Sequence, residues 1–262
     1  MPLKINRFYK PNCEAKEKIA FDEDFDNLDD FLDMLFNDIR DPQLDFKQEP
    51  IEEAFRTRLE LILFQNKFRT YYLIEGIVSG LNNNNLPAVI PLIRAFLELV
   101  AQLGYIYWQI SRHNDYVYLM DEPLLKISLG NRNDGTGPFS LGHVTSVNIM
   151  TMFEQANKAW NLIKEDNSQG EGSDENSGEE LLHLYADLSN QSHPNYISNM
   201  FYSSIDTDGK VKTLKDVGQD MESIKPLVYG FYFSPLSVGI GLYHLFMGRI
   251  YEDPKVQRIE NV

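Results

Sequence analysis

Polar side chains that could do chemistry stand at the end of an apolar helical stretch, in the segment "YADLSNQSHPN" at residues 185–195. Tyr185, Ser189 and His193 are each four residues apart, so they form a ladder on one helical face. Hydroxyls can hold an anion, and an imidazole can also move a proton near neutral pH. The pattern indicates a polar pocket beside a core helix. Capping bonds to the last carbonyls, or an exposed helix end, are the alternatives left open.

A second set of polar residues lies on the otherwise apolar helix that is predicted at residues 86–113. Arg94 and Glu98 are the only charged residues at positions 86–110, and they share a face because they are four apart. At about 100° per residue, a roughly 80° arc of this helix holds five polar side chains: Arg94, Glu98, Gln102, Tyr105 and Gln109. This polar stripe is either the solvent-exposed face of the helix or a buried functional one. Its narrowness favours a central helix, because most of the circumference is left for packing.

The two motifs together carry a resemblance. "RAFLE", which runs from Arg94 to Glu98, followed by "YADLSNQSHP", resembles an uncharacterised bacterial all-helical family. That family pairs an Arg-x-x-x-Glu helix with a Tyr-x-x-Leu-Ser-x-x-x-His helix end. The resemblance spans roughly residues 51–195, and the family itself looks like the HEPN-type helical bundles. Several of those bundles are ribonucleases of antiviral defence or toxin–antitoxin systems.

The resemblance implies roles for individual side chains. HEPN ribonucleases carry an Arg, a polar residue and a His near the end of one helix. His193 matches that His, whereas Asp187 and Leu188 occupy the positions of the Arg. Arg94 could supply the missing positive charge from a neighbouring helix. His193 would then act as general acid or base at a 2′-hydroxyl, with Arg94 stabilising the phosphate.

The remaining candidate residues of this site would support the catalytic pair. Tyr185 and Ser189 would orient Arg94 and His193, and Glu98 would hold Arg94 in place. The resemblance therefore implies a ribonuclease-like or nucleotide-processing hydrolase that acts on RNA or a nucleotide. It also implies that a homodimer can form, because HEPN-like bundles often pair.

The charge balance supports a different class of function. The chain has 24 Lys and Arg against 39 Asp and Glu, which gives a net charge of −15. Such a protein repels phosphate backbones at long range, so binding to extended duplex DNA is not expected. The alternative function is a non-catalytic helical binding or regulatory module, which would dock a basic protein partner through its acidic surface.

Helical periodicity predicts the fold. Apolar residues recur at helical spacing along most of the chain, and strand-like alternation is nearly absent. The expected fold is all-α: one domain over residues 1–262, a bundle of six to eight helices with one small β-hairpin. The predicted helices cover residues 27–40, 51–81, 86–113, 115–129, 145–166, 178–193 and 221–251, with Pro91 moving the start of the third to about Ile90.

The segments outside the helices are assigned by composition. They are an N-terminal arm at residues 1–26, a mobile acidic loop at 165–180 and a β-hairpin at 200–214 that turns at Asp208 and Gly209. Thr145 or Ser146 is the expected cap of the helix at 145–166.

The predictions about location and cofactors rest on residue types and patterns that are rare or absent in the sequence. Residues 226–248 carry no Asp, Glu, Lys or Arg, but their glycines, serines and Pro235 favour a buried core helix over a membrane span. Cys13 is the single cysteine, and the first residues lack the apolar stretch of a signal peptide, so we expect a cytoplasmic protein. The five histidines show no ligand spacing, so neither a metal nor a cofactor is predicted.

Overall fold

The structure is a computed structural model that describes residues 28, 30–35, 37, 50–82, 86–129, 145–167, 180–192, 203–205, 208–213 and 232–257. It confirms the predicted all-α helical bundle. The described part contains seven helices with assigned bounds: α1 (Ile51–Asn82), α2 (Leu86–Arg112), α3 (Tyr116–Leu119), α4 (Leu125–Leu129), α5 (Ile149–Asn167), α6 (Glu180–Ser192) and α7 (Ser234–Glu252). Residues 28, 30–35 and 37 are also helical.

Helix α2 begins at Leu86, the first residue of its predicted range. It includes Pro91, so the shift of the start to about Ile90 that was expected from this proline is wrong. A proline in the second turn removes one backbone hydrogen bond, to the carbonyl of Pro87. Because Pro91 itself is exposed, water can replace that donor, and the helix tolerates the residue.

A π-helical turn interrupts the predicted helix at residues 115–129. Asp115 caps α3, with its carboxylate accepting from the backbone N–H groups of Val117 and Tyr118. The π-helical turn then covers Met120–Leu124, and the N–H of Leu125 bonds to the carbonyl of Met120, five residues earlier. Pro123 explains the widened turn, since it lacks an N–H and its ring crowds the carbonyl four residues before it.

Helix α5 is capped by a residue that the sequence analysis did not select. The predicted caps, Thr145 and Ser146, lie before the helix, and Asn148 Oδ1 accepts from the backbone N–H of Met150 at 2.9 Å. Asparagine is among the strongest capping residues, and its position places the cap two or three residues later than predicted.

Two short strands form the β-structure of the described residues. β1 (Ser203–Ile205) pairs antiparallel with β2 (Val211–Thr213), with Ser204 opposite Lys212. Gly209 between them has a φ of 75°. This left-handed backbone is accessible to glycine at little cost, which explains a glycine at this turn.

The chain groups into two compact units, which share α1, α2, α6 and α7. Unit 1 contains residues 1–38, 70–97 and 183–240, and unit 2 contains residues 39–69, 98–182 and 241–262. The prediction of a single domain stays a prediction.

Unit 1 is organised around aromatic and aliphatic side chains. The N-terminal helical residues bury four apolar side chains: Leu28, Phe31, Leu32 and Leu35. The rings of Phe31 and Phe96 lie 6.1 Å apart. Helix α7 approaches α2 closely at Gly239, where a Cβ would meet the Phe96 ring at 2.6 Å.

Unit 2 contains a second close approach between helices, at Gly104 of α2. A Cβ at Gly104 of α2 would lie 2.5 Å from the Cβ of Ala156 on α5 and 2.8 Å from the ring of Phe246 on α7. The turn after α7 is tied down by Lys255, whose Nζ donates to the carbonyl of Ile110 at 2.7 Å. Arg56 Nε in turn donates to the carbonyl of Lys255 at 3.1 Å.

One helical stretch in the described part, Ala88–Arg112, is long and apolar enough to cross a membrane. Of its most apolar window, 67% is buried inside the protein, as in the core helix of a soluble bundle. The apolar segment singled out in the sequence, residues 226–248, is described from Tyr232 onwards and also buries large side chains: Tyr232, Phe233, Leu236, Leu242, Tyr243 and Phe246.

Two of the predicted non-helical segments fall largely outside the described residues. The N-terminal arm at 1–26 does so entirely, and the acidic loop at 165–180 does so for residues 168–179. The described helices overlap the predicted ends of that loop by three residues and one residue, because α5 continues to Asn167 and α6 begins at Glu180.

Candidate functional site

The polar stripe of α2 is not a solvent-exposed face. Tyr105 is 6% exposed and Gln109 is 7% exposed, while Arg94, Glu98 and Gln102 are half-buried. Three of the five side chains hydrogen-bond to a different helix, as described below. The stripe therefore serves as the face on which α2 makes polar contacts with its neighbours, and the solvent-face interpretation is wrong.

Arg94 contacts the helix that carries the second motif. Its Nη2 donates to the hydroxyl oxygen of Tyr185 on α6 at 2.8 Å. The guanidinium carbon also lies 5.0 Å from the centre of the Tyr185 ring, which is cation–π distance. Tyr185 is only 6% exposed, so one well-packed side chain fixes the position of the guanidinium. The two motifs that carry the resemblance thus meet within unit 1.

Ser189 lies one helical turn beyond Tyr185 on the same face of α6. Its Oγ is buried and has no hydrogen-bond partner among the described residues. A serine within a helix commonly bonds to a carbonyl of the preceding turn, as Ser128 does with Leu124 at 2.7 Å. Ser189 makes no such bond, so the capping interpretation does not account for it. An unpaired buried hydroxyl costs about 1–3 kcal/mol, which a ligand or a water molecule would relieve.

The structure gives less information about the other two predicted site residues, Glu98 and His193. Glu98 follows Arg94 by one turn of α2 and is half-buried. His193 comes directly after the last residue of α6 and lies outside the described residues. The structure therefore brings together Arg94 and Tyr185, with Ser189 on the same helical face. The sharing of one site by Arg94 and His193 stays a prediction.

Asn66 is a partner of the polar stripe that the sequence analysis missed. It is 1% exposed on α1, and its Nδ2 donates both to the carbonyl of Leu99 at 3.1 Å and to Oε1 of Gln102 at 2.9 Å. Its spacing from Leu59, Ile62 and Thr70 puts it on the core face of α1. A lone amide on that face predicts a buried polar partner, because buried polar groups are almost always hydrogen-bonded. The polar stripe on α2 offers such partners.

A second partner of the polar stripe that the sequence did not reveal is Gln155 on α5. Gln109 Nε2 donates to Oε1 of Gln155 at 2.6 Å, and the Tyr118 hydroxyl lies 3.5 Å from Oε1 of Gln109. Burial raises the pKa of the remaining stripe residue, Tyr105, to about 12. Tyr105 therefore stays neutral near pH 7, where it cannot act as a base.

We expect Tyr185→Phe to destabilise the protein by about 1.5–3 kcal/mol, because it removes a buried hydroxyl that accepts from a charged group. Urea unfolding of the variant and the wild type measures the difference. Tyr116→Phe is the matched control, since the Tyr116 hydroxyl makes no hydrogen bond among the described residues and its ring packs on Phe55. An equal effect of the two substitutions would contradict the importance of the contact with Arg94.

The described residues define an all-α bundle with an arginine–tyrosine pair between two helices, next to an unpaired serine hydroxyl. No group of three His, Cys, Asp or Glu side chains within the described ranges could hold a metal ion. Comparison with known proteins finds no matching family model, no matching curated protein and no matching solved structure.

Proposed function

We propose that this protein is a HEPN-like bacterial effector that binds a phosphate of RNA or of a nucleotide at the Arg94–Tyr185 pair and cleaves RNA with the help of His193. The observation that carries the proposal is the 2.8 Å hydrogen bond between Arg94 and Tyr185. It brings the Arg-x-x-x-Glu helix against the Tyr-x-x-Leu-Ser-x-x-x-His helix, which is what a site shared by the two motifs requires.

The chemistry of the pair suits a phosphate. A guanidinium presents five N–H donors in a planar fork that matches phosphate oxygens, and it stays charged at all relevant pH values. Tyr185 positions that fork, while the Ser189 hydroxyl supplies a donor that no described residue uses. A half-buried guanidinium attracts an anion more strongly than a fully solvated one, because water screens it less.

In the proposed reaction, His193 removes the proton of a ribose 2′-hydroxyl, and the oxygen attacks the adjacent phosphorus. The bond from phosphorus to the 5′-oxygen of the next nucleotide breaks, and that oxygen takes up a proton from water. The products are a 2′,3′-cyclic phosphate and a 5′-hydroxyl. Arg94 stabilises the charge that develops on the phosphoryl oxygens, and Glu98 holds Arg94 in place.

The test is an RNA degradation assay on the wild type, His193→Ala and Arg94→Gln. Removal of a positioned acid or base costs about 10²–10⁴-fold in rate, which we expect for His193→Ala. Removal of one group that stabilises charge in the transition state costs about 10²–10³-fold, which we expect for Arg94→Gln. The double variant should lose little more, because residues that act as a unit are not additive. Arg112→Gln is the matched control, since it removes an exposed arginine from the same helix.

A wild type that cleaves no RNA and binds no mononucleotide would contradict the proposal. The net charge of −15 would then favour the other class of function, a non-catalytic module that docks a basic protein partner.

A further inference from the structure

A pocket in unit 2 has no lining residue in common with the Arg94–Tyr185 pair and has no role in the proposed cleavage. Its volume is about 240 Å³, and it lies between α1, α2 and α4. The lining residues that matter for a ligand are Phe64, Asn66, Phe68, Arg69 and Gln102. Aromatic, cationic and amide side chains thus surround one small space.

The positive charge of this pocket comes from Arg69. This side chain is exposed and makes no ion pair with any described residue, although the protein carries a net charge of −15. An arginine that no described carboxylate neutralises is available to an anionic ligand. Its fork of N–H donors fits a carboxylate or a phosphate.

The amide of Gln102 is oriented before any ligand arrives. Its Oε1 accepts from Asn66 Nδ2 at 2.9 Å, so its Nε2 is the end that remains for another contact. Asn66 is held in turn by the carbonyl of Leu99, to which it donates at 3.1 Å. A donor whose direction is fixed by buried neighbours loses little conformational entropy on binding.

The apolar part of the pocket is aromatic. The rings of Phe64 and Phe68 lie 6.1 Å apart and are nearly parallel, at an angle of 23°. Phe68 is 43% exposed, so part of its ring is in contact with water beside the pocket. A planar ring packed against Phe68 would remove part of this surface from water.

The size of the pocket limits the ligand. An apolar cavity of about 150 Å³ holds benzene, whereas sites for drug-sized ligands measure about 300–1,000 Å³. A volume of about 240 Å³ falls between the two and accommodates one ring, while the rest of a larger ligand would extend into solvent, to which the pocket is partly open. We propose that this pocket binds a small planar ring that carries one anionic group, with the ring against Phe68 and the anion on Arg69.

This ligand chemistry is found both in aromatic carboxylic acids and in nucleotides, where the base is the ring and the phosphate is the anion. Titrations followed by ligand-observed NMR can distinguish the two sources with benzoate and adenosine 5′-monophosphate. Benzamide, which has the shape of benzoate without its charge, isolates the contribution of the anion. Acetate, which has the charge without the ring, isolates the contribution of the ring.

We expect the wild type to bind benzoate or the nucleotide with a Kd in the millimolar range or below, as suits a ligand with so few atoms. Binding of benzamide and of acetate should be weaker than that of benzoate by about tenfold or more, because each lacks one of the two contacts. Arg69→Gln should remove the advantage of benzoate over benzamide, and Phe68→Ala should weaken both. Both residues are exposed, so both variants should fold.

Arg58→Gln is the matched control, because Arg58 lies on the same helix but does not line the pocket. Nucleotide binding that survives Arg69→Gln but not Arg94→Gln belongs to the site on α2 and α6. If neither benzoate nor the nucleotide binds in a way that depends on Arg69, the proposal is overturned, whatever the outcome of the cleavage assay.

Discussion

Replacing Asn66 with aspartate should destabilise the protein by about 3–5 kcal/mol at neutral pH, although the two side chains have nearly the same size. Asn66 is 1% exposed and donates to two oxygens, the Leu99 carbonyl and Gln102 Oε1. An ionised carboxylate would face those oxygens with no donor of its own. It would also lose its hydration, so the substitution puts an uncompensated charge in the core.

The loss of stability caused by Asn66→Asp should grow as the pH rises. Burial and the two facing oxygens raise the folded-state pKa of the new carboxyl above its unfolded value of about 3.9. The protonated form can donate to one of the two acceptors. The variant should therefore be closest to the wild type below about pH 4, and it should lose stability as the pH rises through its folded-state pKa.

Urea unfolding of the variant and the wild type at several pH values measures this difference. Asn114→Asp, in the exposed turn before α3, makes the same chemical change and should cost less than about 0.5 kcal/mol. A cost at Asn66 as small as that at Asn114 would show that the contact between α1 and the polar stripe is absent.

Replacing Gly104 with alanine should destabilise the protein by about 2 kcal/mol, although alanine is the better helix former by about 1 kcal/mol. The added Cβ would lie 2.5 Å from the Cβ of Ala156 and 2.8 Å from its Cα. A backbone atom cannot rotate away as a flexible side chain can. The methyl group therefore forces α2 and α5 apart and disturbs the packing around them.

Gly241→Ala on α7 is the matched control for this substitution. Nothing lies within 4 Å of the Cβ position at Gly241, so only the helix propensity changes, and stability should rise by about 0.5–1 kcal/mol. Thermal or urea unfolding of both variants measures the two effects. A stabilising effect of Gly104→Ala would contradict the close approach of the helices.

The fold class followed from the sequence because apolar spacing records which face of a helix is buried. Ile51–Asn82 matches its prediction within a residue, and four apolar side chains of the N-terminal helical residues are buried as expected. Irregular turns and the exact helix caps were harder to predict from the sequence. The π-helical turn depends on how Pro123 is accommodated, and the choice of Asn148 as cap depends on competition among several adjacent polar residues.

The candidate site was predictable only in part. The spacing of Arg94 to Gln109 revealed one polar face of α2, and the spacing of Tyr185 and Ser189 revealed a ladder on α6. Neither pattern identifies a partner helix, because helical spacing contains no information about tertiary neighbours. The partners Asn66 and Gln155 therefore emerged only from the structure.

The most direct test of the account is binding of a short oligoribonucleotide whose 2′-hydroxyls are methylated, so that cleavage cannot interfere. Calorimetric titration of the wild type, Arg94→Gln and the control Arg112→Gln measures whether Arg94 holds the phosphate. We expect the wild type and Arg112→Gln to bind alike and Arg94→Gln to bind about tenfold or more weakly. Equal affinity of the wild type and Arg94→Gln, or no binding by the wild type, would contradict it.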